Sequence, residues 1–243
     1  MGILSVITSG KGGSGKSTVS VGLASAFNKL GRKVLLIDID EGLRCLDLML
    51  GVSDKLVFDL ADILNFQKDV DEVKLKVNDN IDLIAAPAQV NSYKRYDFGK
   101  FLFSIIDKYD HVIVDCPAGI DENLYKSLPS FAGVFVVESL DLIGCRCAET
   151  IENLLFDVGI ENKYLIVNKF DHNLLKRSNI ISLDDIIDKT GLMIRGIVPY
   201  DSELFQLSAR GKLYDNALSS KAFMRIAKRI ESKDIPLPKL NNL

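Results

Sequence analysis

The sequence of 243 residues has no tryptophan, two histidines, four cysteines and no apolar run close to the ~20 residues that span a bilayer. The cysteines, at positions 45, 116, 145 and 147, do not form the disulfide framework of a small secreted domain. The N-terminus also lacks the basic and then apolar segments of a secretory signal. These absences predict a cytoplasmic protein that depends on an ordinary hydrophobic core.

The sequence also has little excess charge of either sign. It contains 30 Lys and Arg residues and 33 Asp and Glu residues, which gives a net charge of −3 and a pI of about 5.5. Bulk electrostatics therefore favour neither nucleic acid nor an anionic membrane as a partner. The absence of repeats, linkers and low-complexity tracts predicts one domain over residues 1–232, followed by a proline-containing tail over residues 233–243.

Apolar runs of strand length alternate with helical patterns along the chain. Because the strands are apolar throughout, they are expected to be buried on both faces of a mostly parallel sheet. The pattern therefore predicts an α/β fold in three layers. The predicted strands are 3–8, 33–38, 81–86, 111–115, 133–138, 163–168 and 194–198, and the predicted helices lie near 16–30, 46–50, 58–65, 97–108, 121–128, 146–157, 182–189, 202–209 and 219–232.

A glycine-rich loop, "SGKGGSGKST" over residues 9–18, joins the first predicted strand to the first predicted helix. It contains the pattern G-x-x-x-x-G-K-[ST] from Gly10 to Ser17, in the context that confirms a phosphate-binding loop. Backbone N–H groups and the helix N-terminus supply positive potential to phosphates there. Lys16 is expected to reach the β- and γ-phosphates, and the Ser17 hydroxyl to bind Mg²⁺.

Three aspartates follow apolar strands at the edge of the sheet where ligands bind. Asp115 is in the position of a carboxylate that holds Mg²⁺ directly or through water, and Asp38 is expected to support the metal's water shell. Asp40 is placed to orient or deprotonate the attacking water. The alternative is that these aspartates cap helices or turns.

The loop has a second lysine, Lys11, which the ordinary phosphate-binding pattern does not need. The residues alone leave two interpretations of Lys11, a solvated loop charge or a functional cation.

Longer motifs give the sequence a specific resemblance. The segments "KGGSGKST", "DIDEGLRCLDLMLG" and "DCPAGID" resemble the deviant-Walker-A ATPases of the MinD/ParA family, and the second points to its MinD branch. The resemblance extends to about residue 232 through "IVNKF", "ISLDDII" and "GIVPYDSEL". It implies a P-loop NTPase fold, ATP and Mg²⁺ as cofactors, ADP as product and slow basal hydrolysis.

The resemblance also assigns residue roles. In this family the extra lysine, here Lys11, reaches across an ATP-dependent homodimer to the nucleotide of the facing subunit, as an arginine finger does. The resemblance further implies that the protein is a nucleotide switch in the spatial regulation of cell division and that it has a protein partner or activator. The implied catalytic residues are Lys11, Lys16 and Asp40, the nucleotide-binding residues are Gly10, Lys11, Gly12, Gly13, Ser14, Gly15, Lys16, Ser17, Thr18, Asn168, Pro199 and Asp201, and the metal-site residues are Ser17, Asp38 and Asp115.

Membrane contact is the less favoured expectation. Residues 219–232 are amphipathic and basic, a pattern shared by helices that lie on membranes and by helices packed on a core. The resemblance aligns them with the family's last core helix, which favours packing. Pro236 and Pro238 interrupt any insertion helix in the tail. The sequence thus predicts a cytoplasmic protein, with peripheral contact at the inner membrane face as the open alternative.

Two other functions stay open at this stage. Cys145 and Cys147 form a C-x-C pattern that a metallochaperone ATPase could use, although residues i and i+2 point about 200° apart on a helix. Buried thiols without a metal are the favoured interpretation. A ParA-like partition ATPase that binds DNA is disfavoured by the acidic net charge.

Overall fold

The computed structural model describes residues 1–171 and 182–238. Within these ranges eight strands form one sheet. The strands are β1 (Ile3–Ser9), β2 (Val34–Asp38), β3 (Leu75–Lys76), β4 (Ile81–Ile84), β5 (His111–Ala118), β6 (Gly133–Glu138), β7 (Lys163–Phe170) and β8 (Met193–Pro199).

The spatial order of the strands is β3-β4-β2-β5-β1-β6-β7-β8. The pairs between β4 and β8 are parallel, and β3 pairs antiparallel with β4 at the edge. The order brings the carboxyl ends of β1, β2, β5, β6 and β7 to one edge of the sheet. Asp38 and Asp115 occupy paired positions there.

Helices cover both faces of this sheet and bury two apolar cores. One core includes residues of α5, α6, α7 and α8, and the other includes residues of α1, α2, α9 and α10. This arrangement confirms the predicted three-layer α/β fold. The helices are α1 (Lys16–Lys29), α2 (Leu46–Met49), α3 (Leu60–Leu64), α4 (Val70–Val73), α5 (Arg95–Ile105), α6 (Glu122–Ser127), α7 (Leu142–Asp157), α8 (Leu183–Thr190), α9 (Glu203–Ala209) and α10 (Ser220–Ile230), with short 3-10 helices at Ser53–Lys55 and Ile106–Lys108.

The largest departure from the predicted elements is the start of α7, at Leu142 rather than near 146. Asp141 caps this helix, because its side chain accepts a hydrogen bond from the Gly144 N–H at 2.7 Å. Gly144 is required in the first turn, since a Cβ there would lie 2.3 Å from the Ser139 carbonyl oxygen. The strand β3 and the helix α4 were not predicted; they have two and four residues, too few to show a period.

The last helix, α10, packs its apolar face on α1 and β8. The Phe223 ring lies against Gly22, where an added Cβ would come within 2.5 Å of it, and Ile226 fills the corresponding space over Gly196. The prediction that this amphipathic helix packs on the core is confirmed. Its apolar face is therefore occupied by the protein and not available to a bilayer.

The chain after α10 is held by Arg229. Its guanidinium donates hydrogen bonds to the carbonyl oxygens of Ile235 at 2.7 Å, Pro236 at 2.5 Å and Arg195 at 2.8 Å. The first part of the tail thus lies along the domain. Among the helices that the structure describes, none has the length and apolar character of a bilayer-spanning segment.

Candidate nucleotide-binding site

The glycine-rich loop lies between the end of β1 and the start of α1, as predicted. Gly13 and Gly15 adopt left-handed backbone conformations, with φ of 76° and 94°, which glycine tolerates best. Gly15 is the N-cap of α1, and no side chain among the described residues caps the helix. The first N–H groups of α1 therefore remain for a ligand, and their partial positive charge suits an anion.

The space around the loop also fits phosphates. A Cβ added at Gly12 or Gly13 would meet no atom within 4 Å, so the loop is open on that side. The Ser14 hydroxyl oxygen is buried and has no hydrogen-bond partner within residues 1–171 and 182–238. Lys16 is buried at the start of α1. A buried ammonium, an unpaired hydroxyl and uncapped N–H groups together match a polyphosphate.

Two side chains from the end of β7 hold the loop in place. Asn168, which is 4% exposed, donates from Nδ2 to the Ser14 carbonyl oxygen at 2.8 Å. Lys169 donates from Nζ to the Gly13 carbonyl oxygen at 2.6 Å. A Cβ at Gly15 would lie 2.2 Å from Asn168 Nδ2, so this close approach requires glycine. The sequence predicted that Asn168 binds the nucleotide but did not predict a role for Lys169. The only sequence feature that could have indicated one is its position next to Asn168.

Asp38 and Asp115 form a buried pair at the ends of β2 and β5. Asp38 accepts hydrogen bonds from the backbone N–H groups of Asp40, Cys45 and Leu46. Asp115 accepts one from the Ser20 hydroxyl at 2.8 Å and is also hydrogen-bonded to Ser17. Burial raises the pKa of both carboxyl groups, and for Asp115 the charge of Asp38 adds to the effect. A cation bound nearby would lower the free-energy cost of keeping both buried carboxyl groups ionised.

The residues at this edge fit a magnesium ion that keeps its waters. No group of three or more His, Cys, Asp or Glu side chains in the described ranges is arranged to hold a metal. Mg²⁺ typically binds a hydroxyl and phosphate oxygens and retains several waters. The Ser17 hydroxyl, which contacts Asp115, is the direct protein ligand that this arrangement offers.

Asp40 lies in the turn between β2 and α2, with its carboxyl group half-buried. The turn is closed by hydrogen bonds from the Leu43 and Arg44 N–H groups to the Asp40 carbonyl oxygen. Burial raises the pKa of the Asp40 carboxyl group, although the nearby Lys16 ammonium acts in the opposite direction. A carboxylate with a raised pKa beside the phosphate lysine suits a proton acceptor for water.

Lys11 is not a solvated loop charge. Its Nζ donates to the Ser139 hydroxyl oxygen at 2.8 Å and to both carboxylate oxygens of Asp141, at 3.2 and 3.0 Å. Burial acts to raise the pKa of Asp141, but hydrogen bonds from Ser139, the Gly144 N–H and Lys11 outweigh it, so this pKa is lowered. The ammonium is therefore bound to the N-terminus of α7 in its own chain.

Glu138 is a site residue that sequence reasoning missed. It closes β6, is fully buried, and accepts a hydrogen bond from the Gly10 N–H at 2.9 Å. Its second oxygen lies 3.9 Å from Lys11 Nζ. Burial raises the pKa of Glu138 to about 7, although the Gly10 N–H and Lys11 act against this. The sequence could have identified Glu138, because an acidic residue at the end of an apolar strand is the same pattern that identified Asp115.

The segment after β8 lies beside the end of β7, because the Tyr200 N–H donates to the Phe170 carbonyl oxygen at 2.9 Å. Pro199 ends β8, and its carbonyl oxygen accepts from the Ser219 hydroxyl at 3.3 Å. Both Asp201 carboxylate oxygens accept backbone hydrogen bonds, from the N–H groups of Glu203 and Ser219. The structure thus brings the segment to Phe170, two residues after Asn168, with the Asp201 carboxylate already engaged.

Cys145 and Cys147 both lie on α7, where Cys145 is buried and Cys147 half-buried. Cys147 packs on the phosphate loop, since a Cβ at Gly10 would lie 2.7 Å from the Cys147 Cβ. Burial raises the pKa of both thiols. Their helical position keeps them from chelating one metal ion together, so the metallochaperone hypothesis loses its structural support.

The family model described as "CobQ/CobB/MinD/ParA nucleotide binding domain" matches residues 5–214. The chain is 34% identical over 239 residues to the septum site-determining protein MinD of Synechocystis sp., covering 95% of this chain and 90% of that protein.

Solved structures agree with this match. The MinC:MinD cell division protein complex of Aquifex aeolicus superposes with a TM-score of 0.87 at 31% identity, covering 98% of this chain and 99% of that one. MinD of Pyrococcus horikoshii, solved with Mg-ADP, has a TM-score of 0.81 at 23% identity, with coverage of 95% and 96%. The latter similarity shows a shared fold.

Proposed function

The chain belongs to the CobQ/CobB/MinD/ParA nucleotide-binding family, and from this membership we propose that it is a MinD-like, Mg²⁺-dependent ATPase in the spatial regulation of cell division. The observation that carries the proposal is a glycine-rich loop with a lysine at each end. Lys16 is buried at the start of α1, while Lys11 is 25% exposed beside α7. The burial of Lys16 supports a role at the chain's own nucleotide, and the partial exposure of Lys11 supports a role at the nucleotide of a second subunit.

In this proposal the loop residues bind the phosphates of ATP through backbone N–H groups, and Lys16 reaches the β- and γ-phosphates. Mg²⁺ neutralises phosphate charge when bound, held by Ser17 with Asp38 and Asp115 supporting its waters. Asp40 orients the attacking water and accepts its proton. Asn168 and the segment from Pro199 to Asp201 bind the base.

The ATP-bound form is proposed to be a homodimer in which Lys11 leaves Asp141 and contacts the facing nucleotide. The homodimer is supported by exposed apolar side chains around the glycine-rich loop, at the same edge of the sheet. Leu142 and Ile143 are 72% and 66% exposed in the first turn of α7, Leu43 is 74% exposed beside Asp40, and Ile120 is 50% exposed after β5. A second copy would cover this surface and separate the nucleotides from water.

The proposal of a protein partner is supported by the similar structure of Aquifex aeolicus, which was solved as a MinC:MinD complex. We propose that this chain, in its ATP-bound form, likewise binds a division regulator or activator. The proposed location is the cytoplasm, and residues 1–232 are proposed to act as one domain with residues 233–243 as an accessory tail. DNA partition is not favoured, because the net charge is −3.

Light scattering on the full chain with Mg-ATP, Mg-ADP and no nucleotide tests the switch, with phosphate release measured in parallel. We expect a dimer with ATP and monomers in the other two samples, together with slow hydrolysis. A monomer in all three samples would overturn the dimerisation switch, and absent hydrolysis would overturn the ATPase assignment. Repeating the ATP sample with anionic liposomes tests membrane contact, which we expect to be weak.

A further inference from the structure

The Lys11 ammonium lies between two carboxyl groups that differ in their access to water. Asp141, whose side chain is 47% exposed, accepts a hydrogen bond from Lys11 Nζ at 3.0 Å. Glu138, whose side chain is fully buried, has its Oε2 atom 3.9 Å from the same nitrogen. Two acidic groups therefore share one cation at the carboxyl end of β6.

The carboxyl group of Glu138 has different surroundings at its two oxygens. Its Oε1 atom accepts a hydrogen bond from the Gly10 N–H at 2.9 Å. Its Oε2 atom is buried without a hydrogen-bond partner in the part of the chain that the structure describes. A buried carboxylate with one unsatisfied oxygen is costly unless a cation stays close to it. Lys11 is that cation, since its Nζ lies within ion-pair distance of Oε2.

Within the described ranges, four charged or titratable side chains face Glu138 from the elements packed around it. Lys11 of the phosphate loop and Lys16 of α1 favour the ionised form, and Asp141 at the start of α7 disfavours it. The fourth is Cys147 of α7, and burial raises the pKa of its thiol, so it carries no charge near neutral pH. Burial outweighs the two lysines and raises the pKa of Glu138 to about 7.

The departure of Lys11 would affect the two carboxyl groups differently. Asp141 would keep its hydrogen bond at the start of α7 and its exposure to water. Glu138 would keep the Gly10 N–H but lose the cation beside Oε2. A proton on Oε2 removes the buried charge and still lets Oε1 accept from Gly10. Protonation therefore compensates for the loss of the cation and leaves the phosphate loop in place.

We propose that Glu138 binds a proton when Lys11 leaves for the facing subunit, so that ATP-dependent dimerisation takes up protons and is favoured as the pH falls. The proposal rests on the dimerisation switch proposed above. The proton comes from solvent, through the space that Lys11 vacates, and forms a bond with Oε2. Glu138 acts through Lys11 rather than on the nucleotide, which makes it a positioning residue.

The direction of the pH effect follows from a comparison of the two states. In the monomer the carboxyl group of Glu138 has a pKa of about 7. In the dimer this pKa is higher, because the nearby positive charge of Lys11 has gone. Below pH 7 the group is mostly protonated in both states, and well above the pKa of the dimer it is ionised in both. Between these limits dimerisation weakens as the pH rises, by up to about tenfold per pH unit for each subunit.

Sedimentation equilibrium of the full chain, with Mg²⁺ and the nonhydrolysable analogue adenylyl imidodiphosphate, measures the dimer dissociation constant without hydrolysis. From about pH 7 to pH 8.5 we expect this constant to rise roughly tenfold more in the unaltered protein than in Glu138→Gln. The glutamine amide is neutral, matches the carboxyl group in size and can accept from Gly10. The comparison cancels the titration of the analogue's phosphates and of Asp38 and Asp115. Glu149→Gln, at an exposed position of α7, should keep the pH dependence of the unaltered protein.

A measurement on the monomer tests the coupling without dimerisation. In a chain whose glutamates carry ¹³C at the side-chain carboxyl carbon, the NMR signal of Glu138 is the one that Glu138→Gln lacks. We expect this signal to titrate with a midpoint near pH 7 in the unaltered chain. In Lys11→Ala the midpoint should rise by about 1 pH unit, because the neighbouring positive charge is lost. Lys221→Ala, which removes an exposed lysine of α10, should leave the midpoint unchanged.

The outcomes separate this proposal from the proposed function. A dimer with the same pH dependence in the unaltered protein and in Glu138→Gln would overturn the role of Glu138 and leave the dimerisation switch intact. An unchanged midpoint in Lys11→Ala would do the same. The absence of a dimer at every pH would overturn the switch and, with it, the proton uptake.

Discussion

The Lys11 ammonium lies 3.0 Å from a carboxylate oxygen of Asp141 in the same chain. The two residues are 130 positions apart, and Asp141 at the same time caps α7 through the Gly144 N–H. In the proposed dimer Lys11 would leave Asp141 to reach the phosphates of the facing subunit. We interpret this contact as the position of Lys11 in the monomer, before the proposed dimer forms.

Replacing Lys11 by alanine should separate folding and binding from dimerisation. Lys11→Ala is expected to fold and bind ATP, because the backbone loop and Lys16 remain. It should not form the ATP-dependent dimer, and hydrolysis should fall roughly 10³-fold, the low end of what a cation supplied in trans provides. Light scattering and phosphate release measure both effects. Dimerisation and turnover at the parent rate would show that Lys11 has no role across the interface.

Mixing Lys11→Ala with Asp40→Ala subunits tests the direction of the contact. In a mixed dimer the intact Lys11 of the Asp40→Ala subunit faces the site that retains Asp40, so some hydrolysis should return. Each variant alone is the control. A mixture no more active than its components, although light scattering shows mixed dimers, would contradict action in trans.

Removing the carboxylate that holds Lys11 should make the switch easier to trigger. Asp141→Ser keeps a capping side chain for α7 and removes the ion pair. Because both groups are partly exposed, the pair stabilises the monomer by about 0.2–1 kcal/mol. The ATP concentration for half-maximal dimerisation should fall by up to about fivefold. Glu149→Gln on the same helix is the matched control, and an equal shift in both variants would rule out release of Lys11.

Asp40→Ala should trap the ATP-bound dimer. ATP binding is expected to persist, because the phosphate contacts come from the loop, while hydrolysis should fall by about two orders of magnitude, as for a lost general base. Single-turnover measurement of ATP consumption, with light scattering on the same sample, checks both parts. Normal turnover would remove Asp40 from the mechanism.

Deleting residues 234–243 should affect stability and not activity. The deletion leaves the Arg229 guanidinium without the Ile235 and Pro236 carbonyl oxygens, but it keeps its bond to Arg195. Unpaired donors cost about 1 kcal/mol, which lowers the melting temperature by about 2–4 °C in a chain of this size. ATPase rate and co-sedimentation with anionic liposomes should stay nearly unchanged. A clear loss of lipid binding would show that the tail, rather than α10, contacts membranes.

The acid stability of the fold should depend on Glu231 at the end of α10. Hydrogen bonding to Arg32, with smaller contributions from His111 and Lys233, lowers the pKa of Glu231 to about 2 from its usual 4.5, against the effect of burial. A carboxyl group with a depressed pKa stabilises the folded state fully above pH 4.5, and this contribution is lost as the pH falls towards 2.

Glu231→Gln is therefore expected to lower the free energy of unfolding by about 1–2 kcal/mol at pH 7, a value reduced for the solvent exposure of Arg32. The deficit should shrink below pH 4.5 and vanish near pH 2. Denaturant unfolding at several pH values measures it, with the exposed Glu161→Gln as control. A deficit that does not change with pH would indicate lost packing instead of lost charge.

The sequence alone determined the features that depend on neighbouring residues. The apolar runs predicted seven of the eight strands of the described sheet because strands buried on both faces need continuous apolar side chains. The phosphate-binding loop from Gly10 to Ser17 could be predicted because a strand, several glycines and the start of a helix follow one another directly in the chain. Asp38 and Asp115 could be placed at one edge because parallel strands end on the same side.

Only the tertiary structure decided which distant groups meet. The bonds from Lys11 to Asp141, from Gly10 to Glu138 and from Lys169 to Gly13 each join residues more than 120 positions apart. No local period encodes such pairs; they follow from the order of β1, β6 and β7 in the sheet. The sequence therefore identified Lys11, Lys16 and the three aspartates but missed Glu138 and Lys169. The sheet order determined how these charged groups pair, because pairing of charges depends on distance in space.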